Sequence, residues 1–178
     1  MKLRVLTLSA EETAQACRRL ENLCCGLKPD LVVAIAEGGT EVADKIFPVV
    51  PHCQIGSRHR RRLLKGRWLS AVPVEILDFL RVAELLMRRK RHVNIPELSG
   101  NLKAKIENAR RILVVDDAVD SGATLQAAVS VIKTAAPAAK VRTAVLTTTR
   151  RNPIVTPDYR CFPEGTILRF PWSQDAKK

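Results

Sequence analysis

Residues 112–125, ILVVDDAVDSGATL, constrain the fold of this chain more than any other stretch. Four apolar, mostly β-branched residues in a row suit a strand covered on both faces, as in a parallel sheet. That strand is expected over 111–115. Asp116 and Asp117 follow side by side, and two adjacent carboxylates repel unless something positive or rich in hydroxyls lies between them. Asp120, Ser121, Gly122, Ala123 and Thr124 then form a turn that runs into a helix, LQAAVSVIKTAA. The first N–H groups of such a helix have no internal partner, and its dipole favours an anion. Gly122 lets the backbone come close, while Ser121 and Thr124 add hydroxyl donors. In composition this is a phosphate cradle, although it lacks the lysine of a nucleoside-triphosphate loop. The two acids can accept hydrogen bonds from a vicinal diol, or hold a magnesium ion directly or through its waters. A phosphate beside a diol is a ribose 5-phosphate.

The remainder of the chain frames this stretch with strands and helices in alternation. Ser9 and Glu12 make a capping box, so a helix is expected to about Cys25 with Gly26 as its stop. LVVAIAEGG, from Leu31, is a second buried strand ending in glycines. TEVADKIF reads as a short helix, and VVPHCQIG as a strand that Pro51 weakens. PVEILDFLRVAELLMRR places Ile76, Leu77, Leu80, Ala83 and Met87 on one helical face behind Pro73. LKAKIENA is a further helix, KVRTAVLTTT a strand, and TILRFPW a short closing strand. This order predicts an α/β fold with a mainly parallel, twisted sheet flanked by helices. Ligands in such sheets bind beyond the carboxyl ends of the strands, where the loops at 37–40 and 116–124 both fall.

Charge is distributed unevenly. Of a net +12, the segment 57–92 carries +8, from eleven Lys or Arg against three acids. A patch of this kind attracts phosphates, nucleic acid or an anionic membrane surface, and its helix ending in RRKR could lie on such a surface. Five cysteines without a CxxC or Cys/His metal spacing read as reduced thiols, which points to the cytoplasm. Cys53 and Cys161 fit packing, and His52, His59 and His92 are isolated. No apolar run is long enough for a membrane span, and the N-terminal one is too short for a secretory signal. At 178 residues a single domain is expected.

ILVVDDAVDSGAT resembles the thirteen-residue phosphoribosyl-pyrophosphate motif of the type I phosphoribosyltransferases. LVVAIAEGGTEVA is similar to that family's pyrophosphate loop, with Glu37 where many relatives carry Arg or Lys. IGSRHRRR puts Ser57 and Arg58 in the place of the family's closing loop. PDYRCFPEGTILRFPW resembles the hood of the xanthine, guanine and hypoxanthine enzymes, down to Pro171–Trp172. The resemblance implies one domain over 1–178: a core at about 26–57 and 109–150, a basic helical insertion at about 58–108, and a C-terminal hood at about 151–178.

By the same resemblance, Asp116 and Asp117 bind the ribose diol with Mg2+, and 120–124 bind the 5-phosphate. Glu37, Gly38 and Gly39 face diphosphate, Ser57 and Arg58 cover it, Ile167 packs on the base and the Leu168 backbone faces its edge. Asp120 marks a 6-oxopurine enzyme and is the catalytic base for purine N7. The lysine with which relatives read the 6-oxo group falls near Thr147 or Thr148, with Arg150 and Arg151 a little further on; Ser173 stands where some carry an Asp. The implied substrates are phosphoribosyl pyrophosphate and a nucleobase, with diphosphate as product and a homo-oligomer as the assembly. The rival expectation is a non-catalytic regulator of this fold that binds a nucleotide and an anionic partner such as nucleic acid.

Overall fold

The structure is a computed structural model that describes residues 4–35, 37–56, 98–150 and 152–173. Ser57, Arg58 and the amphipathic helix expected after Pro73 lie outside the described residues.

Strand β1 (Arg4–Thr7) leads into helix α1 (Ala10–Cys24). The capping box forms as its residues dictate: Ser9 Oγ accepts from the Glu12 N–H (3.1 Å), and Glu12 Oε2 accepts from the Ser9 N–H (2.7 Å). The end of α1 differs from expectation. Gly26 is absorbed into a 3-10 turn over Cys25–Leu27, and Lys28 takes the left-handed conformation, φ 49°. Its N–H closes the turn on the Cys25 carbonyl at 3.1 Å.

Next come β2 (Leu31–Ile35), α2 (Gly38–Ala43) and β3 (His52–Ile55). Helix α2 begins two residues before the expected Thr40, because both glycines join its first turn. Strand β3 starts directly after Pro51 and lies at the sheet edge, where a missing N–H costs least. Helix α3 (Gly100–Asn108), β4 (Arg111–Val119), α4 (Ala123–Ala135) and β5 (Lys140–Thr148) follow. Two short strands end the described chain, β6 (Tyr159–Arg160) and β7 (Thr166–Arg169). The two-residue β6 has no periodicity to read. Asp158 anchors its start by accepting from the Thr143 N–H and hydroxyl, both at 2.8 Å.

The main sheet is parallel throughout, in the order β3-β2-β4-β5-β6. Alternate side chains fill two apolar layers. On one side Val32, Ala34, Leu113, Val115 and Leu146 meet Leu20 of α1 and Val42 of α2. On the other, Val33, Ile35, Ile112, Val114 and Val145 meet Ile106 of α3 and Leu125 and Ile132 of α4. Each such buried aliphatic side chain contributes about 1.5–3 kcal/mol, so the layers fix which strand ends lie together.

One topological fact positions the site. Strands β2 and β4 are neighbours, yet the chain leaves β2 toward β3 on one side and leaves β4 toward β5 on the other. Helix α2 packs on one face and α4 on the opposite face. The loops after β2 and β4 therefore leave the sheet side by side at the switch point, where ligands of such sheets bind.

A second, two-stranded parallel sheet pairs β1 with β7, Val5 opposite Ile167 and Leu6 opposite Leu168. The hood expected from 151–178 alone thus draws a strand from the start of the chain.

Candidate active site

Strand β4 does not stop at residue 115 but continues through both acids to Val119. Pairing with β5 explains the extension: Asp116, Ala118 and Val119 stand in register with Val145, Thr147 and Thr148. The acids are consequently part of the sheet and not of a loose loop. Asp116 Oδ1 accepts from the Asp117 N–H at 2.9 Å. Burial pushes the Asp116 carboxyl well above the ordinary carboxylate range, and the Asp117 charge adds to the shift.

Gly38 and Gly39 meet β4 directly. A Cβ on Gly38 would overlap the Asp117 carboxyl, and one on Gly39 would lie 2.5 Å from the Val115 carbonyl oxygen. Only glycine permits this approach. Glu37, at the N-terminus of α2, is exposed, while Thr40 holds a buried hydroxyl with no partner among the described residues.

The cradle follows β4. Gly122 takes φ +84° at the N-terminus of α4, and a Cβ there would lie 2.9 Å from the Val155 N. Ser121 is held on both sides: its carbonyl accepts from Ile154 N–H (2.8 Å) and its Oγ from Ala123 N–H (3.4 Å). The turn 120–124 is thereby fixed at the N-terminus of α4, at the carboxyl end of β4.

Asp120 lies at the same end but not alone. Its Oδ1 accepts from Arg150 Nε at 2.5 Å and from the Thr149 hydroxyl at 3.3 Å, while Oδ2 takes neither contact. The Thr149 N–H to the Val119 carbonyl, 2.8 Å, brings the two loops together.

The hood closes over the end of β5. Gly165 N–H donates to the Thr148 carbonyl (2.9 Å), and the Thr147 hydroxyl to the Thr166 carbonyl (2.7 Å). Leu168 packs into the α1 side of the core, so Ile167, its neighbour on the strand, points away from that layer. Trp172 stacks on Phe170 with ring centroids 4.8 Å apart, and its indole N–H donates to Asp117 Oδ2 at 3.4 Å. Lys45 Nζ lies 5.3 Å from the Trp172 ring centre.

The structure therefore brings Gly38, Gly39, Asp116, Asp117, Asp120 and Ser121–Thr124 to the carboxyl ends of β2 and β4, with Ile167 in the adjoining hood. The ties from Arg150 to Asp120 and from Trp172 to Asp117 were not foreseen. The only hint of the first was a basic pair just past a strand. A separate hollow of about 600 Å³ lies at the other end of the strands, near Asp30, Pro51, Lys105 and Arg110. Asp30 is spent there on the backbone N–H groups of Arg110 and Arg111, at 3.1 and 2.9 Å.

Among the described residues no cluster of three or more His, Cys, Asp or Glu forms a protein-only metal cage. Magnesium seldom needs one, since it keeps several waters and takes one or two carboxylates beside substrate phosphates. Asp116 and Asp117 suit that mode of binding. No described helix is long and apolar enough to cross a membrane.

A glycine loop packed on adjacent acids, a glycine turn at a helix N-terminus and a two-stranded hood mark the carboxyl end of this parallel α/β sheet. The chain belongs to the phosphoribosyl transferase domain family, which it matches over residues 8–175. No protein of curated function matches it in sequence. Many solved structures share the fold, among them the following three. A purine phosphoribosyltransferase from Pyrococcus horikoshii Ot3 has 20% identity and a TM-score of 0.64, over 96% of this chain and 94% of that one. The Helicobacter pylori xanthine-guanine-hypoxanthine phosphoribosyltransferase has 19% identity and a TM-score of 0.59, over 97% and 95%. A hypothetical protein from Neisseria gonorrhoeae with bound ppGpp has 16% identity and a TM-score of 0.67, over 97% and 90%.

Proposed function

We propose that this chain moves the 5-phosphoribosyl group of phosphoribosyl pyrophosphate to a ring nitrogen of a 6-oxopurine, releasing diphosphate. The observation that carries the reading is the meeting of Gly38 with Asp117 at the β2–β4 switch point, beside the 120–124 cradle. The cradle takes the 5-phosphate through backbone N–H groups and the Ser121 and Thr124 hydroxyls. Asp116 and Asp117 take the ribose diol. Gly38 and Gly39 bring backbone N–H groups to the diphosphate, which no residue with a side chain could do at this distance from β4.

In the reaction the bond from C1 to the diphosphate oxygen breaks, and positive charge develops on the sugar ring. The purine nitrogen supplies the electron pair of the new C1–N bond, and its proton passes to Asp120. The carboxylates beneath the ribose stabilise the developing charge, so most of the rate comes from positioning and electrostatics. Magnesium, held by Asp116 and Asp117 directly or through water, would neutralise charge on the diphosphate. Two of the like structures are purine enzymes, which supports a purine acceptor.

The test is magnesium-dependent diphosphate release from phosphoribosyl pyrophosphate with hypoxanthine, guanine, xanthine, adenine and orotate added singly. Turnover with an oxopurine that is lost in Asp120→Asn is the expected result. Release with none of them overturns the reading.

One observation favours a second reading, a non-catalytic nucleotide-binding regulator. The Neisseria gonorrhoeae structure of the same fold holds ppGpp, and the net charge of +12 on this chain suits an anionic partner. Tight nucleotide binding without turnover, with a salt-sensitive shift of nucleic-acid mobility, would establish it.

A further inference from the structure

Trp172 reaches from the hood to an acid of the site, and its surroundings hold it in that pose. Residues 170–173 make a tight turn closed twice over. The Phe170 N–H donates to Ser173 Oγ (3.0 Å), and the Ser173 N–H donates to the Phe170 carbonyl (2.9 Å). Pro171 and Trp172 are its middle residues, and the proline fixes its own φ. Phe170 is buried, and its ring lies within 6° of parallel to the indole. Lys45 Nζ, itself tied to the Glu41 carbonyl (3.0 Å) and carboxylate (3.4 Å), sits over the same indole. The donor on the indole edge goes to Asp117 Oδ2.

Asp117 gains an orientation from this contact. Gly38 packs against its carboxyl but has no side chain with which to direct it. The last torsion of an aspartate is broad, so packing alone sets it poorly. An indole N–H on Oδ2 fixes which oxygen faces the hood, and with it the plane in which the remaining lone pairs lie. A carboxylate accepts about four hydrogen bonds, so the indole and a pair of sugar hydroxyls fit on it together.

We infer that Trp172 is a positioning residue for sugar recognition: its indole N–H sets the Asp117 carboxylate to accept from the ribose diol, and so joins the hood to the sugar site. The inference rests on the phosphoribosyl-transfer reading above, in which Asp117 takes the diol. The bond reaches Asp117 and not the 120–124 cradle. Trp172 therefore acts on hydroxyl recognition and leaves phosphate binding alone.

Calorimetric binding of ribose 5-phosphate and of 2-deoxyribose 5-phosphate, which lacks one hydroxyl of the diol, tests this without requiring turnover. Wild type is expected to bind the ribose compound about tenfold more tightly. Trp172→Phe keeps a ring to stack on Phe170 but has no N–H, and should cut that preference to about threefold or less. The deoxy compound should bind both proteins within about twofold of each other. Asp117→Asn should remove the preference, and adding Trp172→Phe to it should change nothing further, as for two residues acting through one contact. A second readout leaves Trp172 intact. Its nitrogen-15 indole resonance, identified in Trp68→Phe, should shift with ribose 5-phosphate and far less with the deoxy compound. Equal weakening of both sugar phosphates in Trp172→Phe is what packing alone would give, and it overturns the inference. So does an unchanged preference, a further loss in the double variant, or an indole resonance indifferent to ribose 5-phosphate. No ribose preference in wild type overturns the inference together with the assignment of the diol to Asp117. A Trp172-dependent preference without diphosphate release in the base panel leaves the inference standing and overturns only the transferase reading.

Discussion

Gly38 lies so close to Asp117 that no methyl group fits between them. This contact joins the loop after β2 to the strand that carries both acids, and it makes Gly38 a residue of the site as well as of the backbone. Gly38→Ala must push α2 or β4 aside. It is expected to destabilise the protein by about 1–3 kcal/mol, as overpacking does. Phosphoribosyl pyrophosphate binding should weaken more than stability falls, which paired urea melts and ligand titrations would show.

Gly122 supplies a second steric test. Its φ of +84° and the Val155 N at 2.9 Å both oppose a side chain. Gly122→Ala is expected to cost about 1–2 kcal/mol from the left-handed conformation alone. The displaced turn should also lose affinity for ribose 5-phosphate, measured by calorimetry, with no change in the sheet's circular dichroism.

Asp116 opposes stability and function to one another. Burial and the Asp117 charge raise its pKa in the fold above the ordinary 3.8. The folded state thus holds the proton more tightly than the unfolded chain. That stabilising contribution is complete below the ordinary value and is lost as pH rises through the raised one. Asp116→Asn, neutral throughout, should melt higher than wild type at pH 7 and lose that advantage below about pH 3.8. Magnesium-dependent binding of phosphoribosyl pyrophosphate should be abolished in the same variant.

What the sequence made legible was what lies contiguous in it. The strand, the two acids, the cradle and the Gly-Gly loop are each read within about a dozen residues, and their strand-end placement follows from the alternation of elements. The pairs made by tertiary register were not legible. Asp120 and Arg150 are 30 residues apart, and meet only because β4 runs on past the acids to pair with Thr147 and Thr148 of β5. Trp172 and Asp117 are 55 apart, and join through the fold of the hood. Strand β1, four residues with no alternation, gave no sign that it would complete the hood beside β7. Lys28 replaced Gly26 as the left-handed residue because the helix tightened into a 3-10 turn before ending.

The cysteines give an independent check of the packing. Burial pushes the Cys17 and Cys53 thiols up to about 11 and Cys24 to about 12, from an ordinary 9.0. Folding favours the protonated thiols, so their contribution is constant below pH 9 and lost as pH rises toward 11–12. Thermal melts should therefore fall steeply above pH 9, and less steeply in Cys24→Ala. Exposed Cys25 should react first with a thiol reagent at pH 8, and Cys17 and Cys24 only on unfolding.

The most direct test of the account is the bond it says is made. Phosphoribosyl pyrophosphate labelled with carbon-13 in the ribose, incubated with magnesium, the protein and hypoxanthine, guanine or xanthine, can be followed by mass spectrometry. The account predicts a labelled nucleoside 5′-monophosphate with at least one of the three, absent with Asp120→Asn. Intact labelled substrate, or ribose 5-phosphate alone with every base, would contradict it.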